Sequence, residues 1–287
     1  MDEIVNLLEL QIEKNKKNRS SSYKNYLQNV NYKNIYSQFS TGGFEKNNFI
    51  RVIFNFFFSR LIYGFSIFNT KNYKKIFLIN KRLNVAININ IIWHLFVLKF
   101  LKKKIYPKNI CVIGDGKANF IMNSFINFSN VRIFSINLPE MLINDYLIIK
   151  KSKILNKKKI DVIFDINQHV NAKKKLILIP AHLKNIINKF NIDLFVSIEC
   201  FQELNKNEQN QYLKIISRQK NSYFYFLERE KKKLPGGEIN LFKNFFPKNS
   251  ITLSNEIASF SKIYYNTKFP FIHFQKKNKR HALVKVK

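Results

Sequence analysis

The chain has 287 residues, of which 46% are hydrophobic, so it is long enough to bury a sizeable core and too apolar to be disordered throughout. Its formal net charge of +32 comes from 42 Lys and 8 Arg against 18 acidic residues. Arg makes the bidentate contacts with which proteins recognise guanine, so this excess of Lys argues against a sequence-reading nucleic-acid site. Lys, Asn, Ile and Phe are encoded by AT-rich codons, so an AT-rich genome would account for much of the positive charge. An anionic glycan or the inner-membrane surface is an alternative partner for a basic face.

The two cysteines, Cys111 and Cys200, both lie inside apolar runs. This placement predicts a pair of buried, reduced thiols and fits a cytoplasmic location. The five histidines show neither an H-x-x-x-H spacing nor a partnering Cys pair, so we predict no structural zinc.

The first 104 residues predict a helical region. Residues 1–18 are acidic first and basic last, which favours an amphipathic helix over a signal peptide. Residues 19–48 are polar and predict a loop, whereas residues 49–104 predict two or three helices that are interrupted at Gly64 and around residues 69–72.

Two apolar stretches in this region, residues 50–68 and 85–101, contain basic and amide side chains. Neither offers the clean run of about 20 apolar residues that a membrane-spanning helix needs. We therefore predict core helices, with an interfacial helix as the alternative. A basic, Pro-containing hinge over residues 101–109 places the domain boundary between a helical region, 1–104, and a second domain, 105–287.

The second domain alternates short β-branched runs with helical segments, which predicts a doubly wound, mostly parallel sheet. The predicted strands cover residues 109–114, 130–137, 159–166, 174–180, 191–200 and 222–230, and the predicted helices cover residues 117–128, 138–151, 182–190 and 206–220. Residues 269–275 and 280–286 are expected to pair as a C-terminal antiparallel hairpin.

The first strand ends in the turn Gly114-Asp115-Gly116, followed by a helix. In such a sheet, ligands bind at the carboxyl ends of the strands, and a helix N-terminus favours an anionic group. Many α/β domains without cofactors also have a G-x-G turn, so this loop alone leaves open a cofactor site or a plain tight turn.

Four segments in order resemble the sugar O-methyltransferase family: the loop CVIGDGKANF, then SINLPE, CFQEL and EREKKKLPGGEINLF. The resemblance covers about residues 105–287. It implies a Rossmann-like, seven-stranded class I methyltransferase sheet with a C-terminal antiparallel hairpin, S-adenosylmethionine as cofactor, and a sugar hydroxyl in surface polysaccharide biosynthesis as methyl acceptor. Ala118 replaces the third glycine of the usual loop, and Asn137 replaces the acid that usually ends the second strand.

The resemblance also implies site residues. The predicted cofactor contacts are Gly114, Asp115, Gly116, Asn137, Ala181 and Glu199. The predicted catalytic residues are Glu203, as the base that accepts the proton of the acceptor hydroxyl, and Arg229, which with Glu228 would hold or polarise the acceptor. For Glu203 a salt bridge or helix cap is an equally good interpretation.

Three functions therefore remain open. The first is a sugar O-methyltransferase. The second is a protein of methyltransferase fold that has lost catalysis and serves as a binding or scaffold subunit, as Ala118 and Asn137 suggest. The third is an RNA-binding methyltransferase, suggested by the charge alone.

Overall fold

A computed structural model describes residues 2–18, 20–27, 31–34, 49–265, 272–275 and 278–287. The N-terminal region is helical, as predicted, and contains α1 (Glu3–Ile12), α2 (Ser21–Leu27), α3 (Phe49–Tyr63), α4 (Lys71–Leu83) and α5 (Ile89–Lys102). The break between α3 and α4 begins at Gly64 and extends to residue 70, which confirms the predicted interruption there, whereas the break between α4 and α5 was not predicted. The loop prediction for residues 19–48 is wrong at α2; the rest of that range, apart from residues 20 and 31–34, lies outside the described residues.

The second half alternates strands and helices, also as predicted. Its elements are β1 (Asn109–Ile113), α6 (Asn119–Asn127), β2 (Arg132–Asn137), α7 (Pro139–Ser152), β3 (Ile160–Val162), β4 (Leu176–Pro180), a 3₁₀ helix (Ala181–Lys189), β5 (Leu194–Ile198), α8 (Lys206–Ser217), β6 (Tyr223–Arg229), β7 (Lys231–Lys233), β8 (Ile239–Leu241), β9 (Ser250–Ile257), β10 (Ile263–Tyr265), β11 (Ile272–Phe274) and β12 (Lys279–Val286).

The main sheet has eight strands in the order β3-β4-β2-β1-β5-β6-β12-β9. All neighbours from β3 to β6 are parallel, whereas β12 runs antiparallel to both β6 and β9. This is a Rossmann-like sheet with the antiparallel C-terminal strand of the class I methyltransferase fold, and the short edge strand β3 makes eight strands instead of the expected seven. The strand order reverses between β1 and β5, so the topological switch point lies at their carboxyl ends.

The predicted C-terminal antiparallel pairing is confirmed, but its partners differ from the expected ones. Residues 280–286 lie in β12, between β6 and β9, and β11 pairs instead with β10. The hairpin between residues 269–275 and 280–286 is therefore wrong. Strand β9 was not anticipated because it lies at the sheet edge with most of its side chains exposed, and so has no apolar run to mark it.

The side chains of β1 alternate between two apolar layers on opposite faces of the sheet. Ile110 and Val112 pack in one layer, and Cys111 and Ile113 pack in the other. Both cysteines are buried and free, as the sequence predicts.

The prediction that both apolar stretches of the N-terminal region form core helices is confirmed for one stretch and wrong for the other. Helix α5 is a core helix, with Ile92, Val97 and Leu98 fully buried. For α3 the core prediction is wrong, because most of its large apolar side chains are exposed. Within the described residues, none of the helices is both long and apolar enough to cross a membrane.

One carboxylate attaches the N-terminal helix to the second domain. Asp2 caps α1 through the backbone N–H of Ile4, and it also accepts hydrogen bonds from the Tyr146 hydroxyl at 2.7 Å and from Lys150 Nζ at 2.8 Å. Lys157 Nζ lies 3.2 Å away. Burial works to raise the pKa of Asp2, but the hydrogen bonds from Lys150, Tyr146 and Lys157 outweigh it and hold the pKa well below its usual range.

Asp2→Ala is expected to lower the free energy of unfolding by about 1–3 kcal/mol at pH 7, because the cap and its charge-assisted hydrogen bonds are lost. A carboxyl whose pKa is depressed on folding stabilises above its unfolded pKa of about 3.9, and this stability disappears as the pH falls below that value. The difference between Asp2→Ala and the parent should therefore shrink between about pH 4 and pH 2 in denaturant titrations. Asp165→Ala, at an exposed loop carboxylate, is the control; an equal loss there would contradict the assignment.

Candidate functional site

The turn after β1 is tight, and a side chain of this protein packs against it. Gly114 and Gly116 have φ angles of +73° and +75°, and Ala118 has +50°. A Cβ atom on Gly114 would overlap the Sγ atom of Cys200. Residue 114 must therefore be glycine, because the Cys200 thiol, on the segment after β5, packs against it. This thiol occupies the position from which a bound ligand would approach the backbone of Gly114.

Asp115 serves as the cap of α6, since it accepts hydrogen bonds from the backbone N–H groups of Phe120 at 3.0 Å and Ile121 at 2.8 Å. A second carboxylate, Asp145 on α7, accepts from the Ala118 N–H at 2.7 Å. Burial raises the pKa of Asp115 to about 6, and burial together with the Asp115 charge raises the pKa of Asp145 well above its usual value. Two neighbouring carboxyl groups, Asp145 fully buried and Asp115 partly buried, therefore hold the loop, and their like charges favour sharing a proton.

Asn137 and Ala181 lie at the ends of β2 and β4, on the same edge as Gly114. The Asn137 side-chain oxygen accepts from the N–H of Leu138 at 2.9 Å, so it too is engaged within the chain. The cavity among these strand ends has a volume of about 20 Å³ and is lined by Ile113, Gly114, Ile136, Asn137, Leu138, Ala181, Cys200, Leu204, Glu208, Tyr212 and Tyr23.

Tyr23 reaches this cavity from α2, because the N-terminal segment crosses the carboxyl edge of the sheet. Ser22 Oγ donates to Glu203 at 2.9 Å, and the N–H of His182 donates to Asn15 Oδ1 at 3.1 Å. Gly236 N–H donates to Ser21 Oγ at 3.2 Å. These contacts define a cover, residues 13–18 and 20–27, that closes the switch point.

The volume of this cavity shows whether a nucleoside cofactor fits. Small-molecule sites typically enclose about 300–1,000 Å³, whereas 20 Å³ holds about one water molecule. With Tyr23 in this position, the pocket does not admit S-adenosylmethionine. Admission of the cofactor requires the cover to move.

Glu199 lies just after β5 and turns away from the cavity, with a φ of +55°. Its carboxylate forms a salt bridge of 2.7 Å with Lys279, whose Nζ lies 4.1 Å from the centre of the Trp93 ring. Burial lowers the pKa of Lys279, and the neighbouring Glu199 carboxylate opposes this effect.

The two predicted catalytic residues lie on neighbouring segments, with Glu203 just after β5 and Arg229 at the end of β6. Glu203 forms a salt bridge of 2.9 Å with Lys232, in addition to its hydrogen bond from Ser22. The Arg229 backbone N–H donates to Gln202 Oε1 at 2.9 Å, and the Arg229 side chain is half-buried. The structure thus brings Glu203 and Arg229 to the same edge as the six predicted cofactor contacts, and their roles stay predictions.

Glu228 is fully buried at the end of β6 and contacts the chain instead of an open site. One carboxylate oxygen, Oε1, accepts from Ser197 Oγ at 3.0 Å and from the backbone N–H groups of Cys200 at 3.2 Å and Phe201 at 3.0 Å. Burial, and then the nearby Glu199 charge, raise the pKa of Glu228 well above its usual value.

Sequence reasoning missed several groups that shape this site. Tyr23 and Ser22 lie in a segment predicted to be a loop, and no local pattern connects them with β5. Asp145 is one polar residue on a largely buried helix. Lys279 lies in the basic segment QKKNKRH, residues 275–281, whose composition predicts a solvated surface, although the Lys279 side chain is buried. Each was missed because its partner is distant in the sequence.

Across the part of the chain that the structure describes, no group of three His, Cys, Asp or Glu side chains is arranged to hold a metal ion.

Comparison with known proteins gives only distant similarities. No family model and no curated protein matches the chain. Among solved structures, it is similar to the N-methyltransferase NodS from Bradyrhizobium japonicum in complex with S-adenosyl-L-homocysteine (11% identity, TM-score 0.44, 69% of this chain and 87% of that one). It is also similar to an S-adenosylmethionine-dependent methyltransferase from Clostridium acetobutylicum (12%, 0.43, 74% and 98%) and to a precorrin-6y C5,15-methyltransferase from Geobacter metallireducens (12%, 0.40, 68% and 88%). These values are too low to assign a function, so the fold assignment rests on the sheet topology.

The paired carboxyls under the glycine loop predict a pH-dependent stability. A carboxyl whose pKa is raised on folding contributes stability that is complete below its unfolded pKa of about 3.9 and is lost as the pH rises through its folded value. The contribution of these two carboxyls to the free energy of unfolding should therefore fall between about pH 4 and pH 7. Asp145→Asn keeps an acceptor for the Ala118 N–H and removes one charge, so it should flatten this fall and stabilise the protein at pH 8.

The measurement is chemical denaturation at a series of pH values for the parent, Asp145→Asn and the exposed control Asp165→Asn. A parent-like pH profile for Asp145→Asn would contradict the shared-proton interpretation.

Proposed function

We propose that this chain is an S-adenosylmethionine-dependent methyltransferase whose acceptor is a sugar hydroxyl in surface polysaccharide or glycoconjugate biosynthesis. The observation that carries the proposal is the sheet order, with antiparallel β12 beside β6 and a polar switch point at the ends of β1, β2, β4 and β5. The order of the four resembling segments along the sequence supports the sugar acceptor. A cytoplasmic location, with or without peripheral membrane contact, belongs to the same proposal.

With the cover displaced, the strand ends present groups suited to a nucleoside. The Asn137 amide can bond a ribose hydroxyl, although without the charge assistance of a carboxylate. Ala181 presents only a methyl group at the end of β4. Gly114 and Glu199 are in contact with the Cys200 thiol and with Lys279, so these two predicted contacts become accessible only when those side chains also move. When bound, S-adenosylmethionine would supply an electrophilic methyl group.

Glu203 is the proposed base, and it accepts the proton of the acceptor hydroxyl. Its carboxylate lies on the loop after β5 and is only partly exposed. The salt bridge with Lys232 and the hydrogen bond from Ser22 orient it, and the bond to Ser22 breaks when the cover leaves. Arg229, at the end of the adjacent strand β6, is available to hold the acceptor.

Tyr23→Ala tests cofactor binding. If the cover competes for the site, only the open molecules of the parent can bind, and the apparent affinity of the parent for S-adenosylhomocysteine is reduced accordingly. Tyr23→Ala should therefore bind S-adenosylhomocysteine at least tenfold more tightly than the parent. Isothermal titration calorimetry measures this difference. Tyr106→Ala, at a side chain 81% exposed and remote from the cavity, is the matched control. No heat with either the parent or Tyr23→Ala at millimolar ligand would overturn the methyltransferase proposal.

Glu203→Gln tests the proposed base. We expect the rate of methyl transfer to fall by about 10²–10⁴-fold, with S-adenosylhomocysteine affinity no lower than that of the parent. The measurement is release of S-adenosylhomocysteine with a panel of free and nucleotide-activated sugars. Exposed Glu230→Gln is the control, and a parent-like rate for Glu203→Gln would rule out this role.

A second candidate is a protein of methyltransferase fold without catalysis, which acts as a binding or scaffold subunit. The specific observation in its favour is that Cys200, Asp115 and Asn137 are already engaged within the chain around a cavity of only 20 Å³. Absence of S-adenosylhomocysteine binding to Tyr23→Ala would favour this candidate.

A further inference from the structure

Helix α3 carries its apolar side chains on the outside of the protein. Six residues spaced i, i+1, i+4, i+7, i+8 and i+12 lie on one face and each exposes at least half of its surface: Phe49, Ile50, Ile53, Phe56, Phe57 and Leu61. The opposite face is turned towards the protein and includes Ser59, which is 2% exposed. This amphipathicity is inverted relative to that of an ordinary surface helix.

Helix α4 extends the same surface. Phe56 of α3 and Phe77 of α4 line one cleft of about 200 Å³, so the exposed parts of the two helices adjoin. Phe77 and Leu78 are themselves exposed by 47% and 60%. We call the six α3 residues together with Phe77 and Leu78 the α3–α4 face. A contiguous apolar surface of this kind on a soluble protein indicates an interaction site.

The charged residues of α3 and α4 are all basic, since no acidic residue occurs in the sequence between Glu45 and Asp115. The exposed basic side chains of α4 are Lys71, Lys74, Lys75, Lys81 and Arg82. Arg60 of α3 places its guanidinium 3.4 Å from the centre of the Phe56 ring and donates to the Phe56 carbonyl. The two helices therefore combine exposed apolar side chains with cations and contribute no acidic group of their own.

We infer that the α3–α4 face binds an anionic phospholipid bilayer, with α3 lying in the plane of the interface. Apolar side chains that enter the acyl region beside Lys and Arg that meet anionic headgroups are the composition of an interfacial helix. The 15 residues of α3 extend about 22 Å, too short to cross a bilayer.

Charge complementarity favours this occupant over the others. A second copy of the same face would oppose cations with cations and offer no carboxylate to either. An RNA surface would use the positive charge, but the aliphatic Ile50, Ile53 and Leu61 provide neither hydrogen bonds nor rings for base stacking. The inference is independent of the proposed methyl transfer, since it concerns a different surface.

Flotation with vesicles tests the inference on the full chain. The parent protein should float with vesicles of phosphatidylglycerol and phosphatidylcholine at low salt, and less with phosphatidylcholine alone or at high salt. Phe57→Ser combined with Leu61→Ser should reduce binding to the anionic vesicles by at least tenfold, because burial of each such side chain corresponds to about a tenfold or larger factor.

The matched control is Ile251→Ser combined with Leu253→Ser on β9, at side chains 45% and 47% exposed. This control should bind like the parent, and both double variants should keep the circular dichroism and unfolding midpoint of the parent. A separate variant, Phe57→Trp, adds a fluorescent side chain to the α3–α4 face. The emission of the added Trp, obtained by subtracting the spectrum of the parent, should shift to the blue on anionic vesicles and be quenched by brominated lipid.

Three results would overturn the inference. The first is a parent protein that does not float with anionic vesicles, and the second is equal loss of binding in the α3 and β9 variants. The third is a different occupant of the face: a dimer in light scattering, or a complex with RNA, that the α3 double variant abolishes while vesicle binding persists.

Discussion

The buried carboxylate of Glu228 organises the carboxyl edge of this sheet. Its contacts with Ser197 and with the N–H groups of Cys200 and Phe201 pin the loop after β5 to the end of β6. The Sγ of Cys200 is thereby held against Gly114, and the loop continues to Glu203, which faces the cover. A buried carboxylate is costly unless it is hydrogen-bonded, so these donors make the loop conformation and the carboxylate depend on each other.

At the same edge of the sheet, the N-terminal region contacts the segments that follow the strands. The cover contacts the segments that follow β4, β5 and β7, while Asp2 holds the start of α1 to α7. The cover follows α1 directly and is held to these segments by hydrogen bonds and by the partly buried ring of Tyr23. Each hydrogen bond contributes only about 1 kcal/mol, so we expect opening of the cover to cost less than unfolding of the sheet.

Local patterns predicted much of the fold, for identifiable physical reasons. Strands β1, β2, β4 and β5 are buried on both faces and therefore appear as continuous apolar runs, which mark them in the sequence. The same reasoning wrongly predicted α3 to be a core helix, because an apolar helix that faces solvent has the same composition as one that faces a core. Strand β9 has no such signal, and β12 pairs with β6 and β9, which are more distant in the sequence, instead of with the preceding β11.

Local periodicity and topology are sufficient to predict the alternation of strands and helices, the glycine turn after β1, the buried thiols and the residues at the carboxyl edge. They do not predict that Cys200 fills the approach to Gly114, that Tyr23 closes the pocket or that Lys279 pairs with Glu199. Those contacts join residues far apart in the chain, and no local propensity specifies them. The tertiary structure likewise decided which face of α3 is turned outward, because that depends on what the helix packs against.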